Sequence, residues 1–177
     1  MSQAAASSDH DEASLAEPDS TDEVVDRFGS LYRAEHDRLV RLAGLVLGSG
    51  SVAEDVVQEA FAKLHGQLDH VDNPGGWLRV SVVNGCRNEH RRLGRARRHV
   101  QREGRSLDRA TVVEDEATPE LIRSLRRLPL RQRTVVVLRF YEDLPEADIA
   151  RIMHIRVGTV KSTLHRALAK LREEIEP

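Results

Sequence analysis

The segment 144–171 places the strongest constraint on the fold of this chain. Its apolar residues recur every three or four positions before and after residues 154–156, and this pattern predicts two helices joined by a tight turn. Pro145 suits the first position of the first helix, where its missing N–H is not needed. The residues expected to face inward are Ile149, Ile152 and Met153 before the turn, and Val160, Leu164, Ala167, Leu168 and Leu171 after it. Two short helices in this order are typical of a helix-turn-helix.

The second helix of this hairpin is polar and basic away from its apolar stripe. The residues that lie off the stripe are Thr159, Lys161, Ser162, His165, Arg166 and Lys170. Lysine and arginine neutralise DNA phosphates and also bind guanine edges in the major groove. The pattern therefore favours DNA binding over the alternative, an ordinary amphipathic hairpin with a solvated basic face.

Charge is distributed unevenly along the 177 residues, although the net charge is only −2. Residues 1–23 carry seven acids and no lysine or arginine, whereas residues 87–109 carry nine arginines against three acids. Residues 123–177 carry twelve bases against seven acids. Because the local sign of the charge selects the partner, the acidic end and the basic body are expected to behave differently.

The sequence also indicates which compartment and which chemistry to expect. Cys86 is the one cysteine, so no intrachain disulfide can form, and no apolar run approaches the length of a membrane span. We therefore expect a cytoplasmic protein. His65 and His70 lie near a predicted loop without a metal-type partner set, and we expect neither a metal nor a cofactor.

Helical periodicity and turn signals predict an all-α fold made of two small helical bundles joined by a flexible linker. We expect a disordered acidic tail at 1–22, a first domain at 23–92, the linker at 93–118 and a helix-turn-helix domain at 119–177. The predicted helices cover about 22–47, 51–68, 77–92, 119–127 and 130–141, ahead of the hairpin. Ser51 and Glu54 predict a capping box for the second helix, and Asn73 and Pro74 predict the start of the third.

The second helix has an acidic polar side opposite its apolar side. The residues on the polar side are Asp55, Gln58, Glu59 and Ala62, and we expect no lysine or arginine to partner these carboxylates. The side is either a solvated acidic face or a docking surface for a basic partner. Spacing alone does not choose between them.

The third helix carries an unusual stripe. Its members are Trp77, Ser81, Asn84, Asn88, Arg91 and Arg95. An aromatic residue followed by amides and arginines suits single-stranded DNA, where rings stack on bases and arginines follow the phosphates. Alternatively, Trp77 is simply the largest core residue of a chain in which aromatic residues make up 3%.

Three segments in order resemble bacterial RNA polymerase sigma factors of the extracytoplasmic-function class. They are DVVQEAF at 55–61, PGGWLRVSVVNGCRNEHRR at 74–92 and LPEADIARIMHIRVGTVKSTLHRA at 144–167. The resemblance covers about residues 24–175. It implies a non-catalytic factor that binds the clamp helices and flap of core RNA polymerase, directs initiation at promoters with minus-35 and minus-10 elements, and aids melting. An anti-sigma factor is the further partner that it implies.

The resemblance also implies roles for individual residues. Asp55, Gln58 and Glu59 would bind the polymerase, and Phe61 would stay in the core. Residues for the minus-10 element would be Asn73, Trp77, Asn84, Asn88 and Arg91. Residues for the minus-35 element would be Arg156, Thr159, Lys161, Ser162, His165 and Arg166.

Two other function classes compete with this interpretation. A free-standing transcriptional regulator would bind duplex DNA through the same hairpin without polymerase, and it would not need Trp77 beside Asn84. An enzyme would need a nucleophile motif, a metal set or a glycine-rich phosphate loop, and the sequence offers none of these.

Overall fold

The computed structural model describes residues 20–102 and 119–175. The predicted tail at 1–19, residues 103–118 of the predicted linker and residues 176–177 lie outside the described residues. Within these two ranges every regular element is helical, so the all-α prediction is confirmed. The α-helices are α1 (Ser20–Leu47), α2 (Gly50–His65), α3 (Pro74–Arg102), α4 (Glu120–Arg127), α5 (Leu130–Phe140), α6 (Glu146–Met153) and α7 (Val157–Ile175), with a short 3-10 helix at Leu68–His70.

The N-terminal module consists of α1, α2 and α3, which pack on one another. The predicted inner face of α2 is buried as expected, with Val57 and Leu64 fully enclosed. The predicted start of α3 is also confirmed: Pro74 is its first residue, and Asn73 Oδ1 accepts a hydrogen bond of 2.9 Å from the backbone N–H of Gly76. An amide side chain there satisfies one of the N–H groups that a helix leaves unpaired at its start.

Glycine at position 85 allows α2 and α3 to approach closely. A Cβ atom at Gly85 would lie 2.7 Å from Cγ1 of Val56, which is closer than packed carbon atoms come. Since any larger residue would push the two helices apart, Gly85 fixes the width of the groove between them.

Three sequence predictions in this module are wrong. α2 begins at Gly50, after Ser49, and Ser51 and Glu54 form no capping box because Ser51 already lies inside the helix. The helix ends at His65, where Gly66 serves as the C-cap, rather than continuing to Leu68. Residues 20–22, assigned to the tail, belong to α1.

The predicted linker is also wrong over residues 93–102, which continue α3. Arginine and alanine are good helix formers, which favours a helix in this stretch although apolar periodicity ends near Arg92. Leu93 and Arg95 are exposed, as expected for a helix that extends past the bundle it belongs to.

The C-terminal module consists of α4, α5, α6 and α7, and the predicted helix-turn-helix is confirmed in α6 and α7. Pro145 lies just before α6 rather than inside it. His154 takes a left-handed conformation with φ of 54°, and Ile155 N–H donates to the carbonyl of Ala150 at 3.0 Å. This pair of features is a Schellman ending, which turns the chain sharply into α7.

The two modules pack against each other, and their buried side chains form one continuous cluster. It joins Leu39 and Val82 of the first module to Val135 and Ile149 of the second. Residues 134–138 are all buried inside α5, which confirms the helix predicted at about 130–141. In the described ranges no helix combines the length and the apolar character that crossing a bilayer requires.

Candidate polymerase and DNA interfaces

The polar side of α2 is a continuous exposed surface. Asp55, Gln58 and Glu59 are exposed, while Phe61 is buried on the opposite side. Phe61 packs with Phe28 and Tyr32 of α1, at ring centroid distances of 6.0 and 4.8 Å. These contacts fix the rotation of α2 about its axis and so direct its carboxylates outward.

The prediction that this surface lacks a basic partner is wrong. Nζ of Lys63 lies 2.7 Å from Oε1 of Glu59, at the spacing of four residues that brings side chains together on a helix. Both side chains are more than half exposed, so the pair contributes little to stability. A basic partner could therefore displace Lys63 at low cost.

A groove of about 450 Å³ runs between α2 and α3. Trp77, Asn84 and Asn88 line it from α3, and Glu59 and Lys63 line it from α2. Polar amides along one wall and an aromatic ring at one end provide hydrogen-bond donors, acceptors and a stacking face. This is the arrangement that unpaired bases can use.

Trp77 has features of both a core residue and a residue that can stack on bases. It is partly buried and packs against the core cluster, and it also lines the groove. Asn73 is exposed, but its Oδ1 is occupied by the cap of α3, so the amide group is oriented before any ligand arrives.

The C-terminal half of α3 is strongly basic. Arg91 is exposed and lies in a second cleft of about 380 Å³, together with Arg87 and His90 of the same helix. Arg131 and His154 of the C-terminal module form the opposite wall. Farther along the other side of α3, Arg92 donates to Glu89, and this hydrogen bond is the main reason that the pKa of Glu89 is lowered.

The outer face of α7 is accessible along its first three turns. The exposed members of the predicted minus-35 set are Arg156, Lys161, Ser162, His165 and Arg166, and Thr159 is partly buried. Val160, Thr163 and Ala167 are buried on the inner side and hold the helix in place. The free N–H groups at the start of α7 add a favourable site for phosphate.

Several of these side chains have partners within the protein. Nζ of Lys161 lies 3.8 Å from Oε2 of Glu146, and Arg166 Nε donates to the carbonyl of Ser162 at 3.1 Å. Such exposed contacts are weak. DNA phosphates can therefore replace them.

Comparison with known proteins shows which family this chain resembles. The model for sigma-70 region 2 matches residues 31–96, and the model for sigma-70 region 4 matches residues 119–171. The RNA polymerase sigma-E factor of Streptomyces avermitilis is 34% identical over 158 residues, covering 84% of this chain and 85% of the relative. The ECF RNA polymerase sigma factor SigM of Mycobacterium tuberculosis is 34% identical over 151 residues, covering 81% and 74%.

This chain belongs to the sigma-70 family of RNA polymerase sigma factors, in the extracytoplasmic-function class.

The fold agrees with that assignment. The sigma factor RpoE of Bartonella quintana, solved in complex with the anti-sigma factor NepR, matches with a TM-score of 0.66 at 24% identity. The match covers 85% of this chain and 98% of that one. As a member of this family, the protein is a transcription initiation factor that directs RNA polymerase to promoters, and the family is a non-catalytic class.

Sequence reasoning missed three residues that border the start of α7. Arg151, His154 and Val157 line a shallow groove beside the start of α7, and Val157 is exposed although it is apolar. Their positions on both sides of the turn could have been read from the hairpin pattern. The sequence did not predict that these three residues share one surface, because the Schellman ending at His154 brings them together.

Proposed function

We propose that this sigma factor holds core RNA polymerase through the polar side of α2, and that Asp55, Gln58 and Glu59 contact the clamp helices. The observation that carries this assignment is a surface of carboxylates and an amide, all exposed and backed by buried Phe61. Its basic neighbours, Lys63 beside Glu59 and Arg92 near Asp55, are both more than half exposed and therefore weakly held.

The two DNA-facing surfaces divide promoter recognition. Trp77, Asn84 and Asn88 in the groove between α2 and α3, with Asn73 before α3 and Arg91 in the second cleft, take the minus-10 element and capture bases as they unstack. The face of α7, with Arg156, Thr159, Lys161, Ser162, His165 and Arg166, enters the major groove at the minus-35 element. The modules at 20–102 and 119–175 are then the two functional domains, and residues 103–118 connect them.

Core polymerase holds both DNA-facing surfaces in one complex, so that two weak contacts together become selective. Each surface alone makes few contacts, but once one is bound the other acts at a high effective concentration. Contact of the C-terminal module with the polymerase flap would add a third anchor. This work takes place in the cytoplasm, where the polymerase acts.

An anti-sigma factor is the regulator that fits this scheme. The RpoE relative of known structure was solved with the anti-sigma factor NepR. A partner of that kind would compete with polymerase for the surfaces described here.

The decisive variant is Asp55→Arg with Glu59→Arg. Reversing two exposed charges should leave helix content unchanged and reduce binding to core polymerase, measured by co-elution, by at least about 100-fold. Run-off transcription should fall with it. The matched control is Asp26→Arg with Glu173→Arg, two exposed acids outside the proposed surfaces. Wild-type transcription by the first double variant would overturn the assignment of α2.

A further inference from the structure

The glycine in the first turn of α7 has no explanation inside the protein. Among the described residues only Gly48 is a glycine with positive φ, so Gly158 has a backbone conformation that other residues can adopt. A Cβ atom at Gly158 would also meet no neighbouring heavy atom within 4 Å. Glycine weakens a helix relative to alanine, and neither the backbone nor the packing requires it here. A glycine at such a position allows another molecule to approach the backbone closely.

Gly158 lies on the side of α7 that is proposed to face DNA. Lys161, Ser162 and His165 follow it at spacings of three, four and seven residues, which place residues on one face of a helix. All three side chains are exposed. The missing side chain of Gly158 therefore leaves a gap within this face, at the end of the helix where a recognition helix contacts base edges.

Val157, the residue before this gap, has an exposed apolar side chain. It is the first residue of α7 and is 40% exposed, whereas Val160 of the same helix is fully buried. Val157 therefore contributes little to the core of the module. Single exposed valines are common on protein surfaces, but this one borders a face whose other side chains are polar or charged.

A shallow groove continues from Val157 onto α6. Its apolar lining includes Ala147 and Ala150, and the exposed cations Arg151 and Arg156 also border it. In a helix-turn-helix the first helix crosses the DNA backbone while the second lies in the major groove. A groove between the two helices therefore faces the duplex, and its cations complement the phosphates.

Thymine is the base whose chemistry fits an apolar side chain at this place. Bases present hydrogen-bond donors and acceptors to the major groove, and the C5 methyl group of thymine is the one apolar group among them. Packing Val157 against a methyl group removes apolar surface of both partners from water. A phosphate at the same place would leave Val157 against a charged group, so the apolar side chain would gain nothing from the contact.

We propose that Val157 is a specificity-determining residue of this sigma factor, which contacts the C5 methyl group of a thymine in the minus-35 element, and that Gly158 leaves the space for this approach. The inference rests on the proposed binding of α7 at the minus-35 element, and it adds an apolar base contact to the polar ones proposed there. The contact is worth one methyl group removed from water. It therefore refines the choice of sequence and does not supply most of the affinity.

The test uses the full chain with cognate core polymerase and a duplex carrying the minus-35 element that the wild-type complex selects from a randomised pool. Each thymine of the element is replaced in turn by uracil, which lacks only the C5 methyl group. Fluorescence anisotropy measures the affinity of the wild type, of Val157→Ala and of a matched control, Leu121→Ala. Leu121 is an exposed apolar residue of α4 and does not line the groove. Circular dichroism checks that each variant is folded.

We expect uracil at one position to weaken binding by the wild type and by Leu121→Ala about fourfold, the value for one buried methyl group. Val157→Ala should bind the thymine and uracil duplexes for this position equally, because its contact is already lost. Binding of the thymine duplex by Val157→Ala as tightly as by the wild type would overturn the proposal. A uracil effect that persists in Val157→Ala would overturn it too, since the methyl group would then lie against another residue.

Gly158→Ala tests the close approach separately. Alanine should leave the melting temperature unchanged or raise it. Affinity for the selected duplex should fall by roughly tenfold or more, because the Cβ atom occupies the space that DNA needs. Wild-type affinity of Gly158→Ala would overturn the close approach and the contact of Val157 with it. If the wild-type complex selects no minus-35 element, the proposed function itself fails, whereas an element without any uracil-sensitive thymine refutes this inference alone.

Discussion

The two helices proposed to touch DNA, α3 and α7, are presented in opposite ways. α7 has a buried inner side and a free outer side, with Lys161, Ser162 and Arg166 all exposed. α3 is enclosed over its first half, by α2 on one side and by the C-terminal module on another, and Trp77 is only partly exposed. A duplex can meet α7 as it stands. Unpaired bases can reach the groove of α3 only by entering between packed helices.

This contrast predicts that changes on α7 affect duplex binding most. Lys161→Ala with Arg166→Ala removes two cationic contacts, and each well-made base contact contributes about 1–3 kcal/mol. Affinity for a duplex minus-35 element, measured with the polymerase complex, should fall by roughly 100-fold. The salt slope should also become shallower.

Lys170→Ala is the control for that pair, because Lys170 is exposed on the same helix beyond the proposed contacts. A loss as large for Lys170→Ala would show that general charge rather than the recognition face controls binding. The proposal that α7 binds duplex DNA through its exposed face would then be wrong.

The groove of α3 should be sensitive to its width. Gly85→Ala places a Cβ atom 2.7 Å from Val56 Cγ1 and should cost about 1–3 kcal/mol in the free energy of unfolding, because overpacking strains both helices. Chemical denaturation checks this value. Adding Val56→Ala should recover most of it.

Such recovery would show that α2 and α3 are coupled through this one contact. If Gly85→Ala is as stable as the wild type, the close approach of the helices does not fix the groove. In either case minus-35 duplex binding by α7 should stay unchanged.

Trp77→Ala tests whether α3 stacks on unpaired bases. Stacking on one aromatic residue contributes about 1–3 kcal/mol per base, so open-complex formation should fall by roughly tenfold. A template already unpaired at the minus-10 element should show the stacking part of that loss, and a minus-35 duplex should show none. Equal losses on the unpaired minus-10 template and on the minus-35 duplex would show that Trp77 acts only as a core residue.

The smallest expected effect concerns pH. The hydrogen bond from Arg92 lowers the pKa of Glu89, so the stabilisation by this pair is present above the ordinary range of a carboxyl group and disappears as pH falls through the lowered value. Glu89→Gln should therefore destabilise slightly at neutral pH and not at all in strong acid. Thermal melting of both proteins at the two pH values checks the difference, and a constant difference would contradict it.

Local features of this sigma factor could be read from its sequence. The turn at His154, the cap at Asn73 and the burial of Ile149 and Ile152 follow from periodicity and from short-range chemistry. The polar side of α2 was visible for the same reason. Each of these features is decided within a few residues along the chain.

Features that depend on distant residues could not be read. Glu142 lies 104 positions from Arg38 and 63 from Arg79, and nothing in its neighbourhood predicts that its carboxylate is buried. The extension of α3 to Arg102 was missed because apolar periodicity ends near Arg92 while helix propensity does not. Docking of the two modules likewise depends on surfaces that meet only in the folded chain.

The most direct test of the account is a gel-shift with promoter DNA, with and without cognate core RNA polymerase. We predict stable, promoter-specific binding only when core polymerase is present. Each DNA-facing surface binds weakly by itself, and the two surfaces lie close together in the free protein. Equally tight and specific binding by the protein alone would contradict the account, since promoter selection would then not depend on the polymerase.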